Sequence, residues 1–206
     1  MKTGCEGVDP LDSLGWEVRE QEAAADYGAF RVVHQRMASR NGGDVREAYC
    51  LAAADWVNIV ALTVDRKVVL VNQYRCGSNS ITLEFPGGLI DADETPETAA
   101  RRELLEETGF LAESVELIGS VNPNPAHFSN RLFTFLASDV VLTGAAMSSL
   151  HETTVVELVD EEDLPGLIAE GRIDHALMLA GFQWYQLYRG RKGSGRARKH
   201  KRTGRT

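Results

Sequence analysis

Residues 88–110 read GLIDADETPETAARRELLEETGF, and they constrain this 206-residue chain more than any other stretch. Thr95 suits an N-cap, Pro96 is tolerated at the first helical position, and Gly109 stands where a left-handed residue would end a helix. The predicted helix carries Glu103, Glu106 and Glu107 at spacing i, i+3, i+4, which stacks three carboxylates on one face. Like charges so close repel, and one would be pushed to protonate unless a cation shared them. Oxygen ligands in this number favour a hard ion, Mg²⁺ or Mn²⁺, over zinc. Arg102, four residues before Glu106, can pair with it and steady the acidic face, while Ala100 and Leu104 offer another face to a sheet. A cation held this way can bridge phosphate oxygens, neutralise developing charge and make water a better nucleophile. Splitting a pyrophosphate needs that chemistry.

Outward from the helix, the chain reads as strands. Val57 to Val64 and Lys67 to Tyr74 are rich in β-branched residues, with Asp65-Arg66 short enough for a hairpin. Strands also fit Ser80 to Phe85, Val115 to Val121, Leu132 to Ala137 and Thr153 to Val159. Earlier, Trp16 to Val18 and Gly28 to Met37 carry β-type runs. Asn41-Gly42-Gly43-Asp44 then turns the chain into a run reaching about Ala52, which predicts a small N-terminal sheet. Helix returns near Leu164 to Glu170 and from His175 to about Tyr188. Strands with helices on both sides give an α+β sandwich. The expected layout is a loose lead-in at 1–15, the small sheet at 16–53, the main domain at 54–188 and a tail at 189–206.

Charge is unevenly placed. From Arg189 onward there are nine Lys/Arg and no acid, leaving 13 basic residues in 1–188 against all 30 acidic ones. Such an acidic body suits collection of divalent metal and not a nucleic-acid polyanion. The tail from Gly190 is nearly free of apolar residues, and the expectation is a mobile extension able to touch RNA or anionic surfaces. Cys5, Cys50 and Cys76 are odd in number and far apart, which argues against a disulfide framework or a zinc site. Glu6 and Asp9 interrupt the N-terminus where a signal peptide needs an apolar segment, so a cytoplasmic protein without membrane association is expected.

The quoted stretch matches, position by position, the Nudix box G-x5-E-x7-R-E-U-x-E-E-x-G-U, in which U is bulky and apolar; Phe110 fills the last position. A chance match is on the order of 10⁻⁷, which sets aside a surface helix of merely solvated glutamates. The chain resembles the Nudix hydrolases from about Trp16 to Tyr188, in the branch of ADP-ribose pyrophosphatases and nucleoside diphosphate sugar hydrolases. The further residues carrying this are Asp55-Trp56-Val57, Val71-Asn-Gln73-Tyr-Arg75, Leu83-Glu84-Phe-Pro86-Gly87-Gly88 and Asn122-Pro-Asn-Pro125-Ala126.

The resemblance implies a Nudix fold, an α/β/α sandwich with a mixed sheet, and a small antiparallel N-terminal sheet that exchanges across a homodimer. It places the metal on Glu103 and Glu107, with Glu106 and the backbone carbonyl of Gly87 completing the set. Gly88, Arg102 and Gly109 are structural. Arg75 would contact the phosphates or the distal sugar, and Gln73, Trp56 and Pro125 would bind substrate, Trp56 by stacking on the base or packing at a subunit contact. The general base is expected in the loop just before the last strand, where Glu152 is the candidate and His151 a rival. The implied reaction is Mg²⁺-dependent hydrolysis of a nucleoside diphosphate linked to a sugar, with ADP-ribose first and GDP-mannose or another NDP-sugar next. Two alternatives are a Nudix-fold nucleotide sensor without turnover and an RNA-associated hydrolase using the basic tail.

Overall fold

The computed structural model describes residues 11, 14–144, 146 and 153–200, apart from the side chains of 193–200. The chain divides into two compact units, one of Met1–Ala54 with Asn124–Asn130, the other of Asp55–Pro123 with Arg131–Thr206.

The first unit is an antiparallel meander of β1 (Trp16–Asp26), β2 (Phe30–Ser39) and β3 (Val45–Ala53). Its turns are made where glycine alone is comfortable at positive φ, at Gly28 and at the pair Gly42 and Gly43. Leu51 of β3 donates its N–H to the carbonyl of His127 and accepts from the N–H of Ser129, so residues 124–130 extend the open edge. No residue of the three strands is fully buried.

The second unit is built on a mixed seven-stranded sheet. It contains β4 (Trp56–Thr63), β5 (Lys67–Arg75), β6 (Ser80–Glu84), β7 (Phe110–Leu111), β8 (Val115–Val121), β9 (Leu132–Leu142) and β10 (Thr154–Asp160). The path runs β10-β5-β4-β9-β7, with β6 on β5 and β8 on β9; β4 and β9 are parallel and the other pairs antiparallel. Central β4 is apolar on both faces, as a strand covered twice must be. Ile59 and Ala61 face Ala99, Ala100 and Leu104 of α1 (Pro96–Thr108). Val60 and Leu62 face Leu164 and Leu167 of α2 (Leu164–Ala169) and Met178 and Tyr185 of α3 (Ala176–His200). The expected α/β/α sandwich is thus present. The Thr95 hydroxyl accepts from the Thr98 N–H at 3.2 Å, and Gly109, at φ 73°, donates to the Leu105 carbonyl, so both ends of α1 close as the sequence predicts.

Four elements differ from expectation, the first being β1, which runs to Asp26 where the sequence placed a strand only to Val18. Strand β7 is too short to show a period, and β9 runs to Leu142 past a bulge where Asp139 takes φ 56°. The backbone of α3 continues to His200, past the end near Tyr188 expected for this helix. Its basic residues find acidic partners on the body and suit a helix C-terminus. Arg189 pairs with buried Glu161 at 2.7 Å, and Lys192 approaches Glu116 at 3.9 Å. Glu161 also accepts from Arg66 and from the Tyr185 hydroxyl. Burial, then Glu161, holds the Tyr185 proton above its ordinary phenol value. Among the described residues no helix is long and apolar enough to cross a membrane.

Leu104 is fully buried between α1 and the sheet. Leu104→Ala is expected to cost about 2–5 kcal/mol, read as a lower urea midpoint at unchanged slope.

Candidate functional site

Strand β4 organises the site. It pairs with β5 through Ala61 and Leu62, then parts from it. In place of β5, the N–H of Ile59 donates to the Pro86 carbonyl and that of Val57 to the Gly88 carbonyl, each at 2.9 Å, and Trp56 bridges antiparallel to Leu89. Along an extended segment, alternate residues turn their peptide groups to opposite edges. With Pro86 and Gly88 engaged on β4, the N–H and C=O of Gly87 face the other way. Its N–H accordingly donates to Glu107 Oε2 at 2.8 Å. Gly87 is glycine for want of space, because a Cβ there would run into the Val57 carbonyl and lie 2.8 Å from Asn58 Cα, all fixed backbone.

The opening between β4 and β5 is a cleft of ≈ 540 Å³. Gly87, Gly88, Glu103 and Glu107 line one wall, and Gln73 and Arg75 of β5 another; Trp56 also lines it. Glu106 does not line the cleft and is turned to Arg102 at 3.2 Å. The Arg102 guanidinium is a hub: it bonds Glu94 through two nitrogens at 3.0 and 2.8 Å, Glu103 at 2.9 Å and the Leu89 carbonyl at 3.0 Å. Glu94 is the strongest influence raising the Arg102 pKa, with burial acting the other way, and Arg102 in turn holds Glu94 below the usual carboxylate range. Arg102 thus ties the loop before α1 to the acidic face.

Sequence reasoning gave no role to Glu84 or His175. Glu84, 1% exposed, takes a two-pronged bond from Arg75 at 2.9 and 2.7 Å and a third from the Thr82 hydroxyl, and His175 Nδ1 lies 3.2 Å away. Burial pushes the Glu84 pKa up, but Arg75, His175 and Thr82 together outweigh it and hold the carboxyl well below the usual range. The available signal was an acid at the end of an apolar strand, beside the Pro-Gly-Gly turn. His175 caps α3, its carbonyl accepting from Met178 and Leu179, and that position carries no local motif. Pro125 belongs with the first unit and is not among the residues lining the cleft. Glu152 and His151 lie outside the described residues.

Because the folded pKa of Glu84 is depressed, its stabilisation is present above the ordinary glutamate value of about 4.3 and is lost as pH falls through the folded value. Glu84→Gln should therefore be less stable than the parent at pH 7, with the gap closing on acidification below about pH 4. Urea midpoints across that range check this, and a gap that does not change with pH would contradict it.

Comparison with known proteins agrees with this geometry. The NUDIX domain family model matches residues 53–182. The chain is 31% identical to the methanol dehydrogenase activator of Bacillus methanolicus, and 29% identical to the ADP-ribose pyrophosphatase of Bacillus subtilis (strain 168). Each match covers 64% of this chain and 71% of the relative. Several other relatives are matched over less than two thirds of their own length. A crystal structure of an ADP compounds hydrolase superposes with a TM-score of 0.74 over 88% of this chain and 96% of the other at 24% identity, which speaks for the fold. With the family model spanning most of the chain and its acidic box helix facing the cleft, the protein belongs to the Nudix family and is a Nudix pyrophosphohydrolase.

Proposed function

We propose that the cleft hydrolyses the diphosphate of a nucleoside diphosphate joined to a sugar, ADP-ribose first and GDP-mannose or another NDP-sugar next. Water oxygen bonds to one phosphorus, the bridging P–O bond breaks, and a nucleoside monophosphate and a sugar phosphate leave. The observation that carries this reading is the convergence of Glu103, Glu107 and the Gly87 peptide edge opposite Arg75 in one cleft. The printed names of two similar proteins, an ADP-ribose pyrophosphatase and an ADP compounds hydrolase, support the substrate class.

The residues fit a hard divalent cation. The donor set is all oxygen, and Glu94, Glu103 and Glu106 share the single guanidinium of Arg102, so that cluster holds more negative than positive charge. Among the described residues no three acidic, histidine or cysteine side chains meet as a ready-made cage. Glu103 is turned onto Arg102 and Glu107 onto the Gly87 amide, and binding an ion exchanges those hydrogen bonds for coordination. Glu103 and Glu107, with Glu106 and the Gly87 carbonyl, would hold Mg²⁺ or Mn²⁺. When bound, the ion supplies charge neutralisation at the phosphoryl oxygens and activation of water. Arg75, fixed by Glu84, points a cation at the diphosphate and orients it. Glu152, two residues before Thr154 in the sequence, is the proposed base that takes the proton from water. A second copy of the chain against β1–β3 belongs to the same proposal, supported by three strands with no buried residue.

The test is phosphate release in a coupled phosphatase assay across ADP-ribose, NDP-sugars, dinucleoside polyphosphates and capped RNA with Mg²⁺. Turnover of ADP-ribose or an NDP-sugar is expected. Silence with preserved nucleotide binding would favour a sensor. Glu107→Gln should lower kcat on the order of 10²-fold or more without loss of the folded state by circular dichroism, and full activity in that variant would remove the metal assignment.

A further inference from the structure

Arg75 and Glu84 are an unequal pair. The Arg75 side chain is 42% exposed and the Glu84 side chain 1%, so a flexible cation at the cleft is tied to a buried anion. The register sets Arg75 opposite Ser80 and Glu84 two pairs further along, opposite Val71, on the same face of the β5–β6 pair. The Arg75 side chain is therefore drawn along the sheet, and its course depends on Glu84 staying ionised and in place. Glu84 Oε1 takes Arg75 Nε at 2.9 Å and the Thr82 hydroxyl, both from the same strand pair. Glu84 Oε2 takes Arg75 Nη2 at 2.7 Å, and His175, from outside the sheet, brings its Nδ1 to 3.2 Å from the same oxygen.

His175 stands just before α3, where its main-chain carbonyl accepts from Met178 and Leu179. Any residue supplies that carbonyl, so the start of the helix does not call for an imidazole. The ring lines the cleft, and its Nδ1 is buried without a hydrogen-bond partner of regular geometry. A small turn of the ring completes a bond to Glu84 Oε2, with the proton carried on Nδ1 by either the neutral tautomer or the imidazolium. The need for that bond arises when a ligand arrives. A diphosphate competes with Glu84 for the Arg75 guanidinium, and a buried carboxylate that shares its cation loses part of its compensation. We propose that His175 is a positioning residue: it supplies Glu84 Oε2 with a second donor, which lets Arg75 engage the diphosphate without leaving Glu84 uncompensated. The inference rests on the reading of Arg75 as a diphosphate contact and adds the residue that makes that contact available. Because the effect is on how firmly the diphosphate is held, it falls on nucleotide affinity and KM and little on kcat.

Calorimetric titration of the full chain with ADP in the presence of Mg²⁺ reads the contact without turnover. His175→Ala is expected to weaken ADP binding by about tenfold. His175→Asn, whose side-chain amide puts a donor near the place of Nδ1, should stay within about threefold of the parent. In the Arg75→Ala background His175→Ala should have no further effect, since His175 acts through Arg75. A merely structural role would instead give equal losses with and without Arg75, and no rescue by Asn. Thermal melting checks each fold, and His175→Leu, which keeps bulk without a donor, carries the test if His175→Ala does not fold. ADP-ribose kinetics on the same variants should show KM rising by a similar factor with kcat within about twofold. Parent protein that does not bind ADP, a loss of affinity independent of Arg75, or unfolding of both donor-less variants would overturn the proposal. Coupling of His175 to Arg75 in ADP binding, in a protein that hydrolyses neither ADP-ribose nor an NDP-sugar, would count against the proposed reaction and not against the role of His175.

Discussion

Two backbone hydrogen bonds, from Ile59 to Pro86 and from Val57 to Gly88, organise the rest of the site. They draw residues 86–88 alongside β4 where β5 has left it, and this opens the cleft. The same pairing turns the Gly87 peptide toward Glu107 and brings Gly87 so close to the Val57–Asn58 backbone that no side chain fits between. Helix α1 is held against this segment from its other side by Leu104 in the core and by Arg102, which reaches back to the Leu89 carbonyl and to Glu94. The acidic face is therefore positioned by backbone geometry and packing, with the carboxylates left to meet a ligand.

Buried charge is handled in two contrasting ways. Glu84 and Glu161 are both nearly inaccessible and each is surrounded by partners: Arg75 and Thr82 donate to one, with His175 Nδ1 3.2 Å away, and Arg66, Tyr185 and Arg189 surround the other. Removing a partner from such a group leaves an uncompensated charge, so these clusters fix one arrangement of the strands and of α3. The face of α1 is the opposite case, with several carboxylates around one guanidinium. The first pattern stabilises the frame, and the second is the one proposed to take a cation.

Much of this was legible in the sequence. The helix ends at Thr95 and Gly109, the i, i+3, i+4 glutamates and the structural part of Arg102 follow from local rules and reappear as predicted. Seven of the strands fell where β-branched runs placed them. Two-residue β7, β1 beyond Val18 and β9 beyond Ala137 did not, since the first is too short for a period, the second has no β-branched residue and the third crosses a bulge. Past Tyr188, α3 meets acidic residues of the body distant in sequence, Arg189 at Glu161 and Lys192 at Glu116. Composition alone read that region as solvent-borne. Glu84 and His175 were missed for a related reason: what matters about each is a contact between a strand and a helix that no spacing along the chain reveals.

The account stands most directly on the claim that Glu103, Glu107 and the Gly87 edge form a cation site. Mn²⁺ binding to the full chain, followed by electron paramagnetic resonance without nucleotide, measures this independently of turnover. Glu103→Gln and Glu107→Gln should each weaken binding by about tenfold or more. Glu162→Gln, in the acidic surface patch around Asp160 and Asp163, should leave it unchanged. Equal Mn²⁺ affinity in all three variants and the parent would contradict the assignment.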